Sequence, residues 1–355
     1  MEYRQLGRSG LRVSKLTMGT MTFGGRGNFA SVGNTDLNGA RRQIEMALDA
    51  GVNLIDTADV YSGGASEEIV GQVLRGSLRD RVVLATKARF NLDPAHPGPN
   101  DAGLSRHHLI EGCEASLRRL GVDHIDLYQV HEWDGQTPLE ETLAALDHLV
   151  QSGKVRYVGC SNFAGWQVMK ALGISERTGL TRFVSHQVYL SLQERSAEYE
   201  IVPSALEEGL GLLIWSPLAG GLMSGKYRRG QDAPPGTRHA SEWDEPPIYD
   251  ADKLYDTIEV LIEIAEARGV SPAQVALAWL LGRPGVTSVI IGARTEEQLA
   301  DNLAAASLEL SAEETARLEL VSRPPLIYPY WHHRKTASDR LSPADLSLIG
   351  PHLEA

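Results

Sequence analysis

At 355 residues, with 42% hydrophobic and 23% charged residues, the chain has ordinary globular composition and length for one large α/β domain or two smaller ones. Its formal charge of −12 argues against non-specific binding to nucleic acid or anionic membranes, though not against a local basic pocket. No apolar run is long enough to span a bilayer, the opening MEYRQLGRSG lacks a signal-peptide core, and two cysteines cannot make a disulfide scaffold; a cytoplasmic, reduced setting is expected.

The stretch YRQLGRSGLRVSKLTMG reads as a hairpin turning at Arg8-Ser9-Gly10. Beyond it one unit recurs: an amphipathic helix, a glycine, then a short apolar strand. QIEMALDAGVNLIDTA turns at Gly51, CEASLRRLGVDHIDLY at Gly121, LAALDHLVQSGKVRYVGCS at Gly153, and SALEEGLGLLIWS at Gly209 and Gly211. A glycine there supplies the left-handed conformation that ends a helix. Further strands are expected at Leu16–Met18, Val82–Lys87, Phe183–Gln187 and Val286–Ile291, which makes eight after the hairpin. Alternating helices and apolar strands imply a parallel sheet covered on both faces. Eight units predict a closed (β/α)8 barrel in one α/β domain, with a hairpin over residues 1–15, the barrel over 16–306 and a tail over 307–355. Long loops at Phe23–Asp36, Asn91–Gly103 and Ala219–Asp252 each follow a strand, so all are expected on the rim that carries barrel sites.

The strand ends place polar groups on that rim: Asp56 after VNLI, Lys87 after VVLAT, His131 after IDLYQV, Ser161 and Asn162 after VRYVGC, Gln187, Trp215, and Gly292 to Arg294 after SVII. Taken singly, Asp56 is a turn cap, Tyr61 a loop residue and His131 a structural histidine. Lys87 is different, because an ammonium at the end of an apolar strand needs a paired charge, and Asp56 on the adjacent strand can supply it. Lys87 beside Tyr61 is expected to lower the phenol pKa from about 10. His131 could orient a carbonyl oxygen, and the set suits protonation of an oxygen that becomes anionic.

The motifs LIDTADVY, LATKA, QVHEWD, GKVRYVGCSNF, HQVYLSL, WSPLAGGLMSGKY and IIGARTEEQLADN, in this order, resemble the aldo-keto reductase family over nearly the whole chain. The resemblance implies a catalytic tetrad of Asp56, Tyr61, Lys87 and His131. Tyr61 would be the general acid in reduction and the base in oxidation, with hydride from a nicotinamide. It also implies a carboxamide clamp of Ser161, Asn162 and Gln187 and a floor of Gly19, Thr20 and Met21. Trp215 stands where many members carry a stacking tyrosine. Ser216, Leu218, Gly220 and Lys226 would cradle a pyrophosphate. Gly292 and Arg294 open a helix suited to a phosphate, and Arg294 favours NADPH over NADH. Gln298 and Asn302 would contact the phosphate edge and adenine. Gly292-Ala293-Arg294 and Asp301-Asn302 resemble the branch related to potassium-channel β subunits and bacterial reductases of similar length.

Gly25-Arg26-Gly27-Asn28-Phe29-Ala30 matches a dinucleotide pattern but opens no convincing helix. The adjacent pairs His107-His108 and His332-His333 lack metal-ligand spacing, so no metal is expected. Cys160, within a strand, is expected to be buried and inert. Met21, Phe23, Phe90, Trp133 and Trp243 are candidate pocket walls for an aldehyde or ketone, the reverse substrate being an alcohol. The aromatic tail near Tyr330 folds either over the rim or against the barrel side or a second subunit. No nucleic-acid or membrane partner is expected, and an oligomer is compatible with the sequence. The competing readings are a nucleotide-sensing regulatory subunit with slow turnover, like the channel β subunits, and a metal-dependent barrel hydrolase.

Overall fold

The structure is a computed structural model that describes residues 1–93, 95–240 and 245–353. Strands β1 (Tyr3–Gln5) and β2 (Arg12–Ser14) pair antiparallel. Strands β3 (Leu16–Gly19), β4 (Leu54–Asp56), β5 (Val83–Ala88), β6 (Ile125–Val130), β7 (Val155–Ser161), β8 (Ser185–Tyr189), β9 (Gly211–Trp215) and β10 (Val286–Ile291) close a parallel barrel in chain order, with β10 beside β3. The expected (β/α)8 barrel with an N-terminal hairpin is therefore the fold found. Every residue of β3 and β10 is buried, because helices cover the outside and side chains fill the inside; the polar Thr17 and Ser288 hydroxyls bond each other there.

The hairpin closes the end of the barrel opposite the rim. Leu6 and Val13 pack with Leu54, Ala85, Leu127 and Leu213 in a core separate from the larger one between strands and helices. Gly7, at φ 59°, passes so close to the barrel that a Cβ there would lie 2.5 Å from the Val184 carbonyl oxygen. Helix starts are fixed by side-chain caps. Asp36 accepts from the Gly39 amide ahead of Leu37–Asp49, and Ser105 from the His108 amide ahead of Arg106–Leu120. Gly121 and Gly209 are left-handed helix caps. Gly51 and Gly153 lie one residue past theirs. Gly211 ends no helix; it opens β9 against Leu6 of the hairpin.

The tail forms three helices, Ala312–Ser322, Tyr330–Thr336 and Pro343–Leu353. The first packs on Ala251–Arg268 and the last on Ala197–Glu208, both on the barrel flank. Buried Arg195 ties this flank together, bonding Glu198, Glu319 and Ser322 and lying 5.0 Å over the Trp279 ring. Of the two placements expected for the tail, the flank is the one adopted. No described helix is long and apolar enough to cross a membrane.

Candidate active site

Parallel register sets the barrel interior: Asp56 stands level with Ala85, Lys87 with Gln129, and Ser161 with Gln187. Lys87 is fully buried, and its ammonium donates to Asp56 Oδ2 at 2.7 Å, the Thr57 carbonyl at 2.7 Å and the Tyr61 hydroxyl at 3.3 Å. Three donors thus meet three acceptors. Asp56 Oδ1 accepts from Gln187 Nε2 at 2.8 Å and from Gln129 Nε2 at 3.5 Å. Tyr61 begins a tight turn, Tyr61–Gly64, that follows β4 and bends through Ser62 at φ 52°. The His131 ring meets the Tyr61 ring edge-on at 5.9 Å. Asp56, Tyr61, Lys87 and His131 therefore form one cluster at the mouth.

Burial works against the Lys87 ammonium, but Asp56 and the Tyr61 oxygen more than offset it, and its pKa rises. Tyr61 reverses the expectation from sequence. Burial raises its pKa, Lys87 pulls the other way without prevailing, and Asp56 and Asp59 add to the rise. The phenol is thus held protonated, as an acid. Burial, then the charges of Lys87 and Arg89, push His131 well below its usual range, so the imidazole is neutral and its remaining N–H can donate. His131 Nδ1 is buried without a hydrogen-bond partner.

The residues expected to hold a cofactor lie along the rim. Asn162 sits at φ 55° and accepts from Trp215 Nε1 at 3.0 Å while donating to the His131 carbonyl at 3.2 Å. Ser161 Oγ is buried with no partner. Ser216 and Ala219, at φ 48° and 50°, begin a turn continued by Gly220 and Gly221. Strained non-glycine residues persist where the surroundings over-determine them, and here they cluster on rim loops. Leu218 is half-buried in that turn, and a Cβ at Gly221 would lie 2.8 Å from Lys226 Nζ. Gly19 ends β3 level with Asp56, and Met21 is half-buried just beyond. The Thr20 hydroxyl is fully buried on the Asp56 carbonyl and Ser66, so it braces the floor from behind. Asn302 donates to the Gly292 carbonyl, and Gln298 accepts from the Arg294 amide; both shape the loop ahead of the helix Glu296–Ala304.

Arg294 bridges two rim loops, donating to the carbonyls of Ser31, Val32 and Gly236 at 2.9 to 3.0 Å. A guanidinium has five N–H groups, so two remain for an anion. Arg238 and Lys226 lie within electrostatic reach. Burial and Arg294 bring the Arg238 pKa down to about 10, and burial, Arg294 and Arg238 lower that of Lys226. Three mutually repelling cations suit phosphates, while the amides of Ala219, Gly220, Gly221 and Met223 are spent within the turn on Ser216 and Leu218. These features, with the unpartnered Ser161 hydroxyl, fit a nicotinamide dinucleotide. Among the described residues no group of three or more His, Cys, Asp or Glu is placed to hold a metal ion.

The candidate walls divide. The Phe90 ring meets His131 edge-on at 5.1 Å. Trp133 packs against Phe163 and exposed Trp166. Phe23 is fully buried in the main core and cannot face a substrate; the ring that covers Tyr61 from this loop is Phe29, at 5.6 Å. Tyr330 is not at the mouth. It stacks on Tyr199 and donates to Glu200 on the flank, beside a separate cavity of about 180 Å³. Trp243 lies outside the described residues.

Gln129, Phe29, Arg238 and a set behind the tetrad were not anticipated. In that set Glu67 accepts from Thr86 and Arg119, both at 2.6 Å, and burial followed by the nearby Glu67 charge holds buried Asp59 well above the usual carboxylate range. A glutamine inside the apolar run IDLYQV was the available signal for Gln129. Arg238 lies far along a loop, and nothing local marks it.

A family model described as "Aldo/keto reductase family" matches residues 15–323. An "Uncharacterized oxidoreductase YrpG" of Bacillus subtilis (strain 168) is 42% identical over 88% of this chain and 93% of its own length. "Versiconal hemiacetal acetate reductase" of Aspergillus parasiticus is 37% identical over 93% of this chain and 99% of its own length. A "Probable voltage-gated potassium channel subunit beta" of Arabidopsis thaliana is 37% identical over 86% of this chain and 91% of its own length.

Proposed function

Since the chain belongs to the aldo/keto reductase family and is an oxidoreductase, we propose that it reduces an aldehyde or ketone to the alcohol with NADPH, and runs the reverse from an alcohol and NADP+. The observation that carries this reading is Lys87, buried between Asp56 and Tyr61 and facing a neutral His131.

The nicotinamide, when bound, supplies the hydride. The chain's own groups manage the oxygen. Tyr61 donates its proton to the carbonyl oxygen, and the adjacent Lys87 ammonium stabilises the phenolate left behind. Asp56 keeps Lys87 charged and fixed; Gln129 and Gln187 keep Asp56 aimed. His131 donates an N–H to the same carbonyl oxygen and orients it. Ser161, Asn162 and Gln187 would hold the carboxamide, Trp215 the ring face, and the turn from Ser216 to Gly221 the pyrophosphate. Lys226, Arg238 and Arg294 support NADPH over NADH, because a 2′-phosphate relieves their mutual repulsion. A reducing, cytoplasmic setting fits two buried free thiols.

The likeness to channel β subunits favours a second reading, a nucleotide sensor that turns over slowly. Fluorescence titration with NADPH and NADH, followed by a panel of aromatic, aliphatic and sugar carbonyls, separates the two. Tight NADPH binding with carbonyl-dependent oxidation is expected. Tight binding without oxidation across the panel supports the sensor, and no binding overturns both.

A further inference from the structure

Strand β5 carries Lys87 into the barrel interior and then leaves the sheet at Arg89. Arg89 is the first residue beyond the strand, on the rim side of Lys87. The Arg89 backbone is pinned there, its carbonyl accepting from the Gly103 amide at 2.8 Å. Its guanidinium lies 5.2 Å from the centroid of Phe90, the ring that meets His131. Arg89 Nε is buried and has no hydrogen-bond partner, and Arg89 forms no ion pair with a carboxylate among the described residues. Glu132 is the nearby acid that feels its charge, and the Arg89 charge is the strongest pull holding that carboxyl down against burial, yet the two side chains stand too far apart for an ion pair.

A buried N–H without an acceptor is costly, and a planar guanidinium against the ring that meets His131 matches a carboxylate. The contacts run in series: Phe29 meets Tyr61, Tyr61 meets His131, His131 meets Phe90, and the Arg89 guanidinium lies against Phe90. We infer that Arg89 determines substrate specificity, and that the preferred substrates are aldehydes or ketones bearing a carboxylate beyond the carbonyl carbon. The guanidinium receives that carboxylate while Tyr61 and His131 hold the carbonyl oxygen. This inference rests on the carbonyl-reductase reading above.

The test is a matched pair, 4-formylbenzoate and its methyl ester, with saturating NADPH. The native protein should favour the acid in kcat/KM by about tenfold or more. Arg89→Met should remove that preference, mainly by raising KM for the acid, and leave the ester within about twofold. Arg89→Lys should keep part of the preference. No preference in the native protein, or equal losses on acid and ester in Arg89→Met, would overturn the inference. Oxidation of NADPH by neither aldehyde would instead overturn the reductase reading. The inference is then read by titrating 4-formylbenzoate into the NADP+ complex and following tryptophan fluorescence. Saturable quenching that weakens at least tenfold in Arg89→Met supports the anion site, and equal binding refutes it.

Discussion

The Lys87 ammonium and the Asp56 carboxylate lie 2.7 Å apart, both essentially buried, with the Tyr61 hydroxyl as a further Lys87 partner at 3.3 Å. A buried charge pair of this kind is weak evidence for stability but strong evidence for a constraint on chemistry. Tyr61→Phe should lower kcat for carbonyl reduction by about 10² to 10⁴ while leaving the NADPH dissociation constant within about threefold. Lys87→Met should lower kcat comparably. Steady-state kinetics beside a cofactor titration check both, and an active Tyr61→Phe enzyme would remove the proposed proton donor.

The raised pKa of Tyr61 sets a pH dependence. Reduction needs the protonated phenol, which is present below that pKa. The rate should hold level through neutral pH and fall only in the alkaline range, above the ordinary tyrosine value of about 10. Alcohol oxidation needs the phenolate and should rise with pH. A kcat profile in both directions tests this; a reductive limb falling near neutrality would show that Lys87 prevails over burial after all.

The cations Lys226, Arg238 and Arg294 should read the 2′-phosphate together. Arg294→Ala and Arg238→Met should each weaken NADPH by about tenfold, or ~1.4 kcal/mol, with a smaller effect on NADH. Equal losses for both nucleotides would mean that the cations serve only to hold the rim loops, as Arg294 does with Ser31, Val32 and Gly236.

Arg195 anchors the tail to the barrel through Glu198 and Glu319. Arg195→Met should cost about 3 kcal/mol, since it leaves acids without their buried partner, although Arg283 still reaches both. Urea unfolding measures the loss, and turnover of the folded variant should be little changed because the network lies on the flank.

Burial lowers the His186 pKa to about 3, and its Nε2 accepts from the Phe163 amide. The unfolded chain binds this proton below about pH 6.5 and the folded chain does not. Stability should therefore fall by up to about 1.4 kcal/mol per pH unit from this group between 6.5 and 3, and be fully present above 6.5. His186→Gln should flatten that part of the profile in unfolding experiments at stepped pH.

The strands and their order were legible because most carry apolar runs and several are preceded by a helix-length pattern ending near a glycine, as at Gly51, Gly121, Gly153 and Gly209. Placing Asp56 and Lys87 together was legible too, since consecutive parallel strands are neighbours and residues at their ends share the rim. Local rules failed where the outcome depended on competition among groups distant in sequence. Lys87 alone implied a lowered Tyr61 pKa; burial together with Asp56 and Asp59 reversed it. Phe23 and Phe29 look equivalent in an aromatic, glycine-rich loop, and only packing decides which ring is core and which covers Tyr61.

By itself, then, the sequence determined the barrel, the hairpin and the ionisable groups Asp56, Lys87 and His131 at strand ends with Tyr61 in the loop after the first of them, because strand period and helix punctuation are local properties of the chain. Tertiary structure alone decided that Gln129 and Gln187 brace Asp56, that Arg238 joins Lys226 and Arg294, that Arg89 Nε is buried without a hydrogen-bond partner near His131, and that the tail lies on the flank. Each of those depends on side chains from different turns of the barrel meeting in one low-dielectric space. There, desolvation and pairing are settled by distance in three dimensions and not by position along the chain.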